Sequence, residues 1–161
     1  LINDISAGHL DENMLQIVSE LKVPYIMMHM RGNPQSMQQR TDYNDLMNDI
    51  IFYFSEQIKK ARSLGINDLI LDPGFGFAKT KNQNFELLNQ LELFRILDIP
   101  ILVGVSRKSM IYKTLDVTAQ HALNGTTALH MVALQKDAKI LRVHDVKEAV
   151  ECIKLDNALK N

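Results

Sequence analysis

Ile101-Leu102-Val103-Gly104-Val105-Ser106-Arg107-Lys108-Ser109-Met110 is a stretch in which a short apolar run passes directly into hydroxyl and cationic side chains. The apolar part follows Pro100 and is rich in β-branched residues, which is typical of a buried strand in a parallel sheet. The polar side chains therefore lie at the carboxyl end of this strand. Because ligands of α/β folds bind at the carboxyl ends of strands, we expect an anion to bind here.

Strand-like and helix-like segments alternate along the rest of the chain. The clearest helix lies between the second and third strands, where Asp42 is expected to cap its amino end and Gly65 to follow its carboxyl end. Its apolar face is formed by Leu46, Ile50, Phe54, Ile58 and Ala61. Further helices are predicted over residues 12–21, 84–97, 119–134 and 145–155. Strands are predicted over residues 1–5, 23–30, 68–72, 101–105 and 139–144.

This alternation leaves two architectures, a doubly wound parallel sheet and part of a (β/α)8 barrel. Polar residues follow all five predicted strands, whereas a doubly wound sheet concentrates its ligand contacts at one switch point. We therefore predict an α/β fold, a partial TIM-type (β/α)8 barrel with about five of the eight βα units. The chain opens at Leu1 inside a strand-like run, so we expect the first three units to lie upstream.

Composition excludes several classes of protein. A formal net charge of −1 gives no basic surface for nucleic acid, so no nucleic-acid partner is expected. No secretory signal, membrane-spanning run or lipidation motif is recognisable, which favours a cytoplasmic protein without a membrane partner. The single cysteine, Cys152, lies in an apolar helical pattern and is expected to serve packing rather than chemistry.

Basic residues share one face at the end of the last strand. Arg142 and His144 have the same parity, so a guanidinium and an imidazole are expected at the barrel mouth, where they suit an anion. The alternative is that Arg142 pairs with a carboxylate and His144 caps the next helix. Gly104 and Lys108 share the inward parity of the fourth strand. A glycine there either lets a flat ligand approach the backbone or serves close packing.

The second and third strands end in further candidates. Asp72 is an acceptor suited to a ligand edge with two adjacent N–H donors. Met28 faces inward, whereas His29 is expected to point toward the helices and to pack there rather than bind a metal. Ser109 falls in the first turn of a helix, where free amides hold a carboxylate or phosphate, although such a serine is more often a cap.

Taken in order, the strand ends closely resemble those of the dihydropteroate synthase family of the folate pathway. The resemblance runs along the whole chain and rests on the order of the motifs more than on any one of them. It implies that residues 1–161 form the C-terminal part of a single pterin-binding (β/α)8 barrel domain, since the first three units of the family have no counterpart here. The motifs are Asn3-Asp4-Ile5-Ser6-Ala7-Gly8, Met28-His29-Met30-Arg31-Gly32-Asn33-Pro34, Asp72-Pro73-Gly74-Phe75-Gly76-Phe77, Ser106-Arg107-Lys108-Ser109-Met110 and Arg142-Val143-His144-Asp145.

The resemblance implies a transferase that condenses 6-hydroxymethyl-7,8-dihydropterin diphosphate with para-aminobenzoate to give dihydropteroate and diphosphate. By position, Phe77, Lys108 and Ser109 would bind para-aminobenzoate, and sulfonamides would compete there. His144 would contact the diphosphate, and Arg142, His144 and Lys108 would form the catalytic set because they stabilise the charge of the leaving group. The residues expected to bind the pterin are Asn3, Met28, Asp72, Gly104, Lys108 and Arg142.

The resemblance also implies Mg²⁺ and a homodimer. The residue associated with Mg²⁺ in the family lies in the first unit, so no metal ligand is assigned within this chain, and we expect the 161 residues alone to be inactive. Two alternatives remain. A corrinoid-linked, pterin-dependent methyltransferase barrel would not need the basic motifs around Lys108 and Arg142, and a non-catalytic truncated barrel would bind pterin only.

Overall fold

Five parallel strands form the sheet of this protein in a computed structural model that describes residues 1–33 and 35–160. The strands are β1 (Ile2–Asp4), β2 (Tyr25–Met28), β3 (Leu69–Asp72), β4 (Leu102–Val103) and β5 (Ile140–Leu141). Within these residues β2 pairs with β1 and β3, and β4 pairs with β5. A bridge between Leu71 and Ile101 joins the two sets, so the strands follow one another in chain order. This order has no reversal, as in a barrel, whereas a doubly wound sheet reverses at its switch point.

Helices connect the strands, and none in the described residues is long and apolar enough to cross a membrane. They are α1 (Met14–Leu21), α2 (Leu46–Ser63), α3 (Lys81–Asn89), α4 (Ser109–Tyr112), α5 (Leu123–Gln135) and α6 (Val146–Lys160). Short 3-10 helices span Met37–Gln39, Leu91–Leu97 and Ala119–His121.

The predicted elements are all present, but their boundaries differ. The helix predicted over 84–97 is α3 followed by a 3-10 helix, and the one predicted over 119–134 is a 3-10 helix followed by α5. The strands are shorter than their apolar runs. Hydrophobic periodicity marks the buried face of a segment, whereas its ends depend on hydrogen-bond partners elsewhere in the fold.

The two ends of α2 show one wrong prediction and one correct one. Asp45, and not Asp42, is the N-cap, because its carboxylate accepts the Asn48 N–H at 3.0 Å. At the other end Gly65 has a φ of 80°, which L-residues rarely adopt. The N–H groups of Gly65 and Ile66 donate to the last turn of the helix, so the predicted glycine stop is confirmed.

Two apolar layers lie on opposite faces of the sheet. On the outer face the helices bury aromatic side chains such as Phe54, which is 0% exposed. The inner face carries a small separate layer formed by Ile26, Ile70, Leu102 and Ile140. Side chains alternate along a strand, so the residues two positions beyond this inner layer also face inward, one level closer to the carboxyl ends. Those residues are Met28, Asp72, Gly104 and Arg142.

Candidate functional site

The inward-facing level at the carboxyl ends carries an ion pair. Asp72 is 1% exposed, and its Oδ2 lies 2.7 Å from Nη2 of Arg142. Nη1 of the same guanidinium donates to the Asn3 side-chain oxygen at 3.3 Å. The second carboxylate oxygen of Asp72 accepts the Gly74 N–H at 2.9 Å. The structure therefore brings together three of the predicted pterin-binding residues, which are 139 positions apart at the extremes.

Gly104 and Met28 line this cluster. A Cβ atom at position 104 would lie 2.7 Å from Arg142 Nη2, so only glycine leaves room for the guanidinium where it is. The flat group that approaches this glycine in the structure is thus Arg142 itself. Met28 is paired in register with Asp72 and is buried, which places it at the floor of the cluster.

Arg142 does pair with a carboxylate, as the alternative hypothesis expected. Because that carboxylate is Asp72, the pairing is compatible with a binding site at these strand ends. A buried carboxylate without a partner is costly, and Arg142 compensates its charge. The Arg142 side chain is 40% exposed while it is paired, so a ligand with N–H donors could compete with it for Asp72.

Lys108 lies beside the cluster, at the loop that follows β3. Its Nζ donates to the Phe75 carbonyl and lies 5.1 Å from the centre of the Phe77 ring. Burial lowers the pKa of Lys108 to about 8, an effect that Asp72 opposes and Arg142 strengthens. The predicted neighbourhood of Phe77 and Lys108 is present in the structure.

Ser109 follows Lys108 and is exposed at the start of α4. The predicted helix after it is a single turn of four residues, and the amides of Ile111 and Tyr112 donate to the Lys108 carbonyl. The predicted helix is thus present but short, and the binding of a carboxylate or phosphate at its first turn stays a prediction. The Ser109 hydroxyl and the Lys108 ammonium lie at this position.

His144 lies against the loop that follows β4. Its Nδ1 is 2.9 Å from the Ser106 hydroxyl, which also accepts the His144 backbone N–H at 3.2 Å. Arg107 locks the same two loops, because its guanidinium forms two bonds of 2.8 Å with the Asp145 carboxylate. The sequence did not predict this Arg107–Asp145 ion pair, since both residues look like ordinary surface charges.

His29 points into the helical layer, as predicted. Its ring meets Tyr53 edge-on at 4.9 Å and packs against Phe54. Burial and the cations Lys79 and Arg31 hold the pKa of His29 well below its ordinary value, so the ring is neutral. The sequence did not predict its partner. Lys79 places Nζ 3.0 Å from His29 Nδ1 and is only 4% exposed.

The loop after β1 is held from below by Asp4. Its carboxylate accepts bonds from the Tyr25 hydroxyl at 2.7 Å, the Ser6 hydroxyl at 2.7 Å and the Gly8 N–H at 2.6 Å. Burial alone would raise the pKa of Asp4, but these bonds lower it below its ordinary value. Asp4 therefore stays ionised and fixes the backbone that presents Asn3.

Two further features bear on cofactors and chemistry. Within residues 1–33 and 35–160 no group of three or more His, Cys, Asp or Glu side chains could hold a metal ion. Cys152 is buried between α6 and α5, where its thiol lies 3.7 Å from the Thr127 carbonyl. Burial raises the pKa of the thiol, which agrees with the predicted packing role.

Comparisons with known proteins identify the family of this chain. Residues 1–144 match the family described as pterin binding enzyme. The chain is 44% identical to the dihydropteroate synthase of Synechocystis sp. over 99% of its own length and 56% of that relative. It is 42% identical to the dihydropteroate synthase of Escherichia coli K12 over 98% of its length and, again, 56% of that relative. The chain thus spans just over half the length of these curated relatives.

Solved structures give the same result. The dihydropteroate synthase of Yersinia pestis with a sulfonamide drug complex superposes with a TM-score of 0.95 at 40% identity, over 99% of this chain and 58% of that one. The dihydropteroate synthase of Xanthomonas albilineans with 4-aminobenzoic acid gives a TM-score of 0.90 at 33% identity, over 99% and 57%. The fold is therefore that of part of a TIM-type barrel, as predicted. Together with the match over residues 1–144, these findings show that the chain belongs to the pterin-binding enzymes.

Proposed function

We propose that the whole protein that carries this chain is a dihydropteroate synthase of folate biosynthesis. The observation that carries this proposal is the cluster of Asn3, Asp72 and Arg142 at the carboxyl ends of the strands, with Lys108 beside it. An acceptor pair next to two cations suits a pterin that carries a diphosphate ester. The relatives of the chain bear the same name.

The pterin ring occupies the space that Arg142 now fills. Asp72 accepts hydrogen bonds from adjacent N–H groups of the pterin edge, and Asn3 supplies a second polar contact. Met28 supports the ring from the barrel interior, and Lys108 donates to acceptors on the ring. Arg142, released from Asp72, lies flat against the ring. The absence of a side chain at Gly104 leaves room for the guanidinium.

The reaction breaks the bond between the pterin methylene carbon and the ester oxygen of the diphosphate. The amine nitrogen of para-aminobenzoate attacks the methylene, forms the new C–N bond and loses a proton. His144, Arg142 and Lys108 stabilise the negative charge that accumulates on the departing diphosphate, which is the main catalytic task. Phe77, Lys108 and Ser109 hold the aminobenzoate, and sulfonamides compete for the same place.

The surroundings of the enzyme follow from the same proposal. We propose a cytoplasmic homodimer whose only ligands are small molecules. Support for the dimer comes from α6, where Val146, Val150 and Ile153 are spaced on one face and are 65%, 42% and 38% exposed. Mg²⁺ accompanies the diphosphate in the family, but the described residues form no metal site, so the steps above use only side chains of this chain.

A direct assay tests the proposal. The whole protein, incubated with 6-hydroxymethyl-7,8-dihydropterin diphosphate and para-aminobenzoate, is expected to release one diphosphate for each dihydropteroate formed. Sulfamethoxazole is expected to compete with para-aminobenzoate. Binding of pterin without any dihydropteroate would support a non-catalytic barrel instead, and methyl transfer to a corrinoid would support the methyltransferase alternative.

A further inference from the structure

Lys79 is a buried cation that the proposed reaction does not use. It directly follows the loop formed by residues 73–78, which leads from β3 toward α3. Only 4% of its surface is exposed. Lysine side chains are seldom buried to this degree, and when they are, their nitrogen has partners. The partners of Lys79 lie on two different parts of the molecule.

Three acceptors surround the Lys79 nitrogen. Nζ lies 3.1 Å from the Gly74 carbonyl, 3.1 Å from the Phe77 carbonyl and 3.0 Å from Nδ1 of His29. Two of these contacts hold the Gly74 and Phe77 carbonyls of the 73–78 loop on the same nitrogen. The third ties the loop to β2, whose backbone continues into His29.

The arrangement is satisfied in both charge states of Lys79. An ammonium donates to two carbonyls and to the lone pair of His29 Nδ1, whereas a neutral amine donates to the carbonyls and accepts from a protonated Nδ1. Burial lowers the pKa of Lys79 to about 7, with Asp72 opposing and Lys108 and Arg31 reinforcing the shift. The neutral ring of His29 can supply either tautomer, so the loop stays held when the proton leaves.

The loop that Lys79 holds presents two groups to Lys108. The Phe75 carbonyl accepts from Lys108 Nζ, and the Phe77 ring lies 5.1 Å from the same nitrogen. Lys79 also donates to the Phe77 carbonyl, and this bond holds the backbone that carries the Phe77 ring. These bonds connect Lys79 to Lys108 through the loop, and the charge of Lys79 also acts on Lys108 and Asp72.

We propose that Lys79 is a positioning residue, which holds the 73–78 loop so that Phe75 and Phe77 place Lys108 and complete the aminobenzoate subsite. This inference rests on the proposed function and deepens it. Other bonds anchor the loop as well, because Asn84 accepts the Gly76 N–H at 2.6 Å and Tyr43 donates to the Ala78 carbonyl at 2.9 Å. The loss of Lys79 alone is therefore expected to misplace the loop without unfolding the protein.

The test compares Lys79→Met with Lys81→Met in the whole protein. Methionine keeps the volume of Lys79 and removes its donors, and Lys81 is an exposed lysine at the start of α3. Calorimetric titration measures the affinities for 6-hydroxymethylpterin and for 4-aminobenzoate. Lys79→Met is expected to weaken 4-aminobenzoate about tenfold and pterin less than about threefold, and Lys81→Met to change neither.

Each outcome bears on the proposal. An affinity for 4-aminobenzoate unchanged in Lys79→Met overturns it, as does an equal loss for both ligands, which a merely structural lysine would cause. If Lys79→Met does not fold, the titrations are run on Lys79→Gln, whose polar amide ends one bond short of the position of Nζ and loses the bonds made there, and the selective loss is again expected. A wild-type protein that binds neither ligand overturns the proposed function, whereas a wild type that binds both isolates the test of Lys79.

Discussion

At the scale of single residues, Asp72 serves the fold and the site at once. Its buried carboxylate holds the Gly74 N–H with one oxygen and the Arg142 guanidinium with the other. In the proposed site a ligand that takes over the second oxygen would find it already oriented, so little ordering would be needed on binding. The ion pair with Arg142 compensates the charge of the buried carboxylate.

Asp72→Asn in the whole protein is expected to weaken pterin binding by about 1.5–3 kcal/mol, the range for a hydrogen bond to a charged group. The amide replaces one acceptor oxygen by a donor, which then faces a donor on the pterin. Calorimetric titration with 6-hydroxymethylpterin measures the loss. Asp68→Asn, an exposed aspartate at the other end of the same strand, is the control. Unchanged affinity in Asp72→Asn would remove Asp72 from the site.

His144→Ala is expected to lower kcat about 100-fold and to leave the KM for para-aminobenzoate nearly unchanged, since the side chain is proposed to act on the departing diphosphate. His144 is a cleaner choice than Arg142, whose removal would also leave the buried Asp72 carboxylate unpaired. Steady-state kinetics on the whole protein measure both constants. The exposed His121→Ala is the control. A raised KM with intact turnover would contradict the assigned role.

Lys79 also makes the stability of the fold depend on pH. Its pKa is lowered to about 7 in the folded protein from its ordinary value of 10.5. Between these values the unfolded chain binds more protons, so the free energy of unfolding rises with pH, by at most about 1.4 kcal/mol per unit. The stability gained in this way is complete above pH 10.5, decreases as the pH falls from there, and is gone below about pH 7.

Urea unfolding at pH 7 and pH 9.5 checks this contribution. The wild type is expected to gain more stability between the two values than Lys79→Met, and Lys81→Met is expected to behave like the wild type. Parallel pH profiles for the wild type and Lys79→Met would show that Lys79 is charged to the same extent in the folded and unfolded chains.

At the scale of elements, the amino end of α2 separates a predicted cap from an observed one. Asp45→Ala is expected to cost about 1 kcal/mol of stability, because the Asn48 N–H then loses its acceptor. Asp42→Ala is expected to leave the stability nearly unchanged. Asp42 accepts a hydrogen bond from Arg31 through its backbone carbonyl, which alanine keeps. Thermal unfolding of both variants decides between the two caps. A larger loss for Asp42→Ala would restore the predicted boundary.

At the scale of the whole molecule, the sheet of the described residues has two open edges. β1 pairs only with β2, and β5 pairs only with β4. Open edges of parallel strands bind further strands, so a polypeptide of residues 1–161 expressed by itself is expected to associate or aggregate. Size-exclusion chromatography with light scattering measures its mass. A stable monomer of 18.4 kDa would show that these edges are protected.

The sequence by itself determined the alternation of strands and helices, the carboxyl-end position of Asp72, Lys108 and Arg142, and the family. These follow from local periodicity and from motif order, which can be recognised without knowing which residues meet in the fold. The glycine stop of α2 was predicted from an equally local signal. The ends of the elements were not, because Asp45 caps α2 by a local bond that the more amino-terminal Asp42 could equally have made.

Only the tertiary structure decided which side chains meet. Asn3 and Arg142, 139 positions apart, meet in the folded chain, and the pairing of Arg142 with Asp72 unites two hypotheses that the sequence left as alternatives. Lys79 lies just before a helix cap and looks like a solvated charge in the sequence. It is buried because the loop folds back over His29, 50 residues away, and such long-range burial has no local signature in the chain.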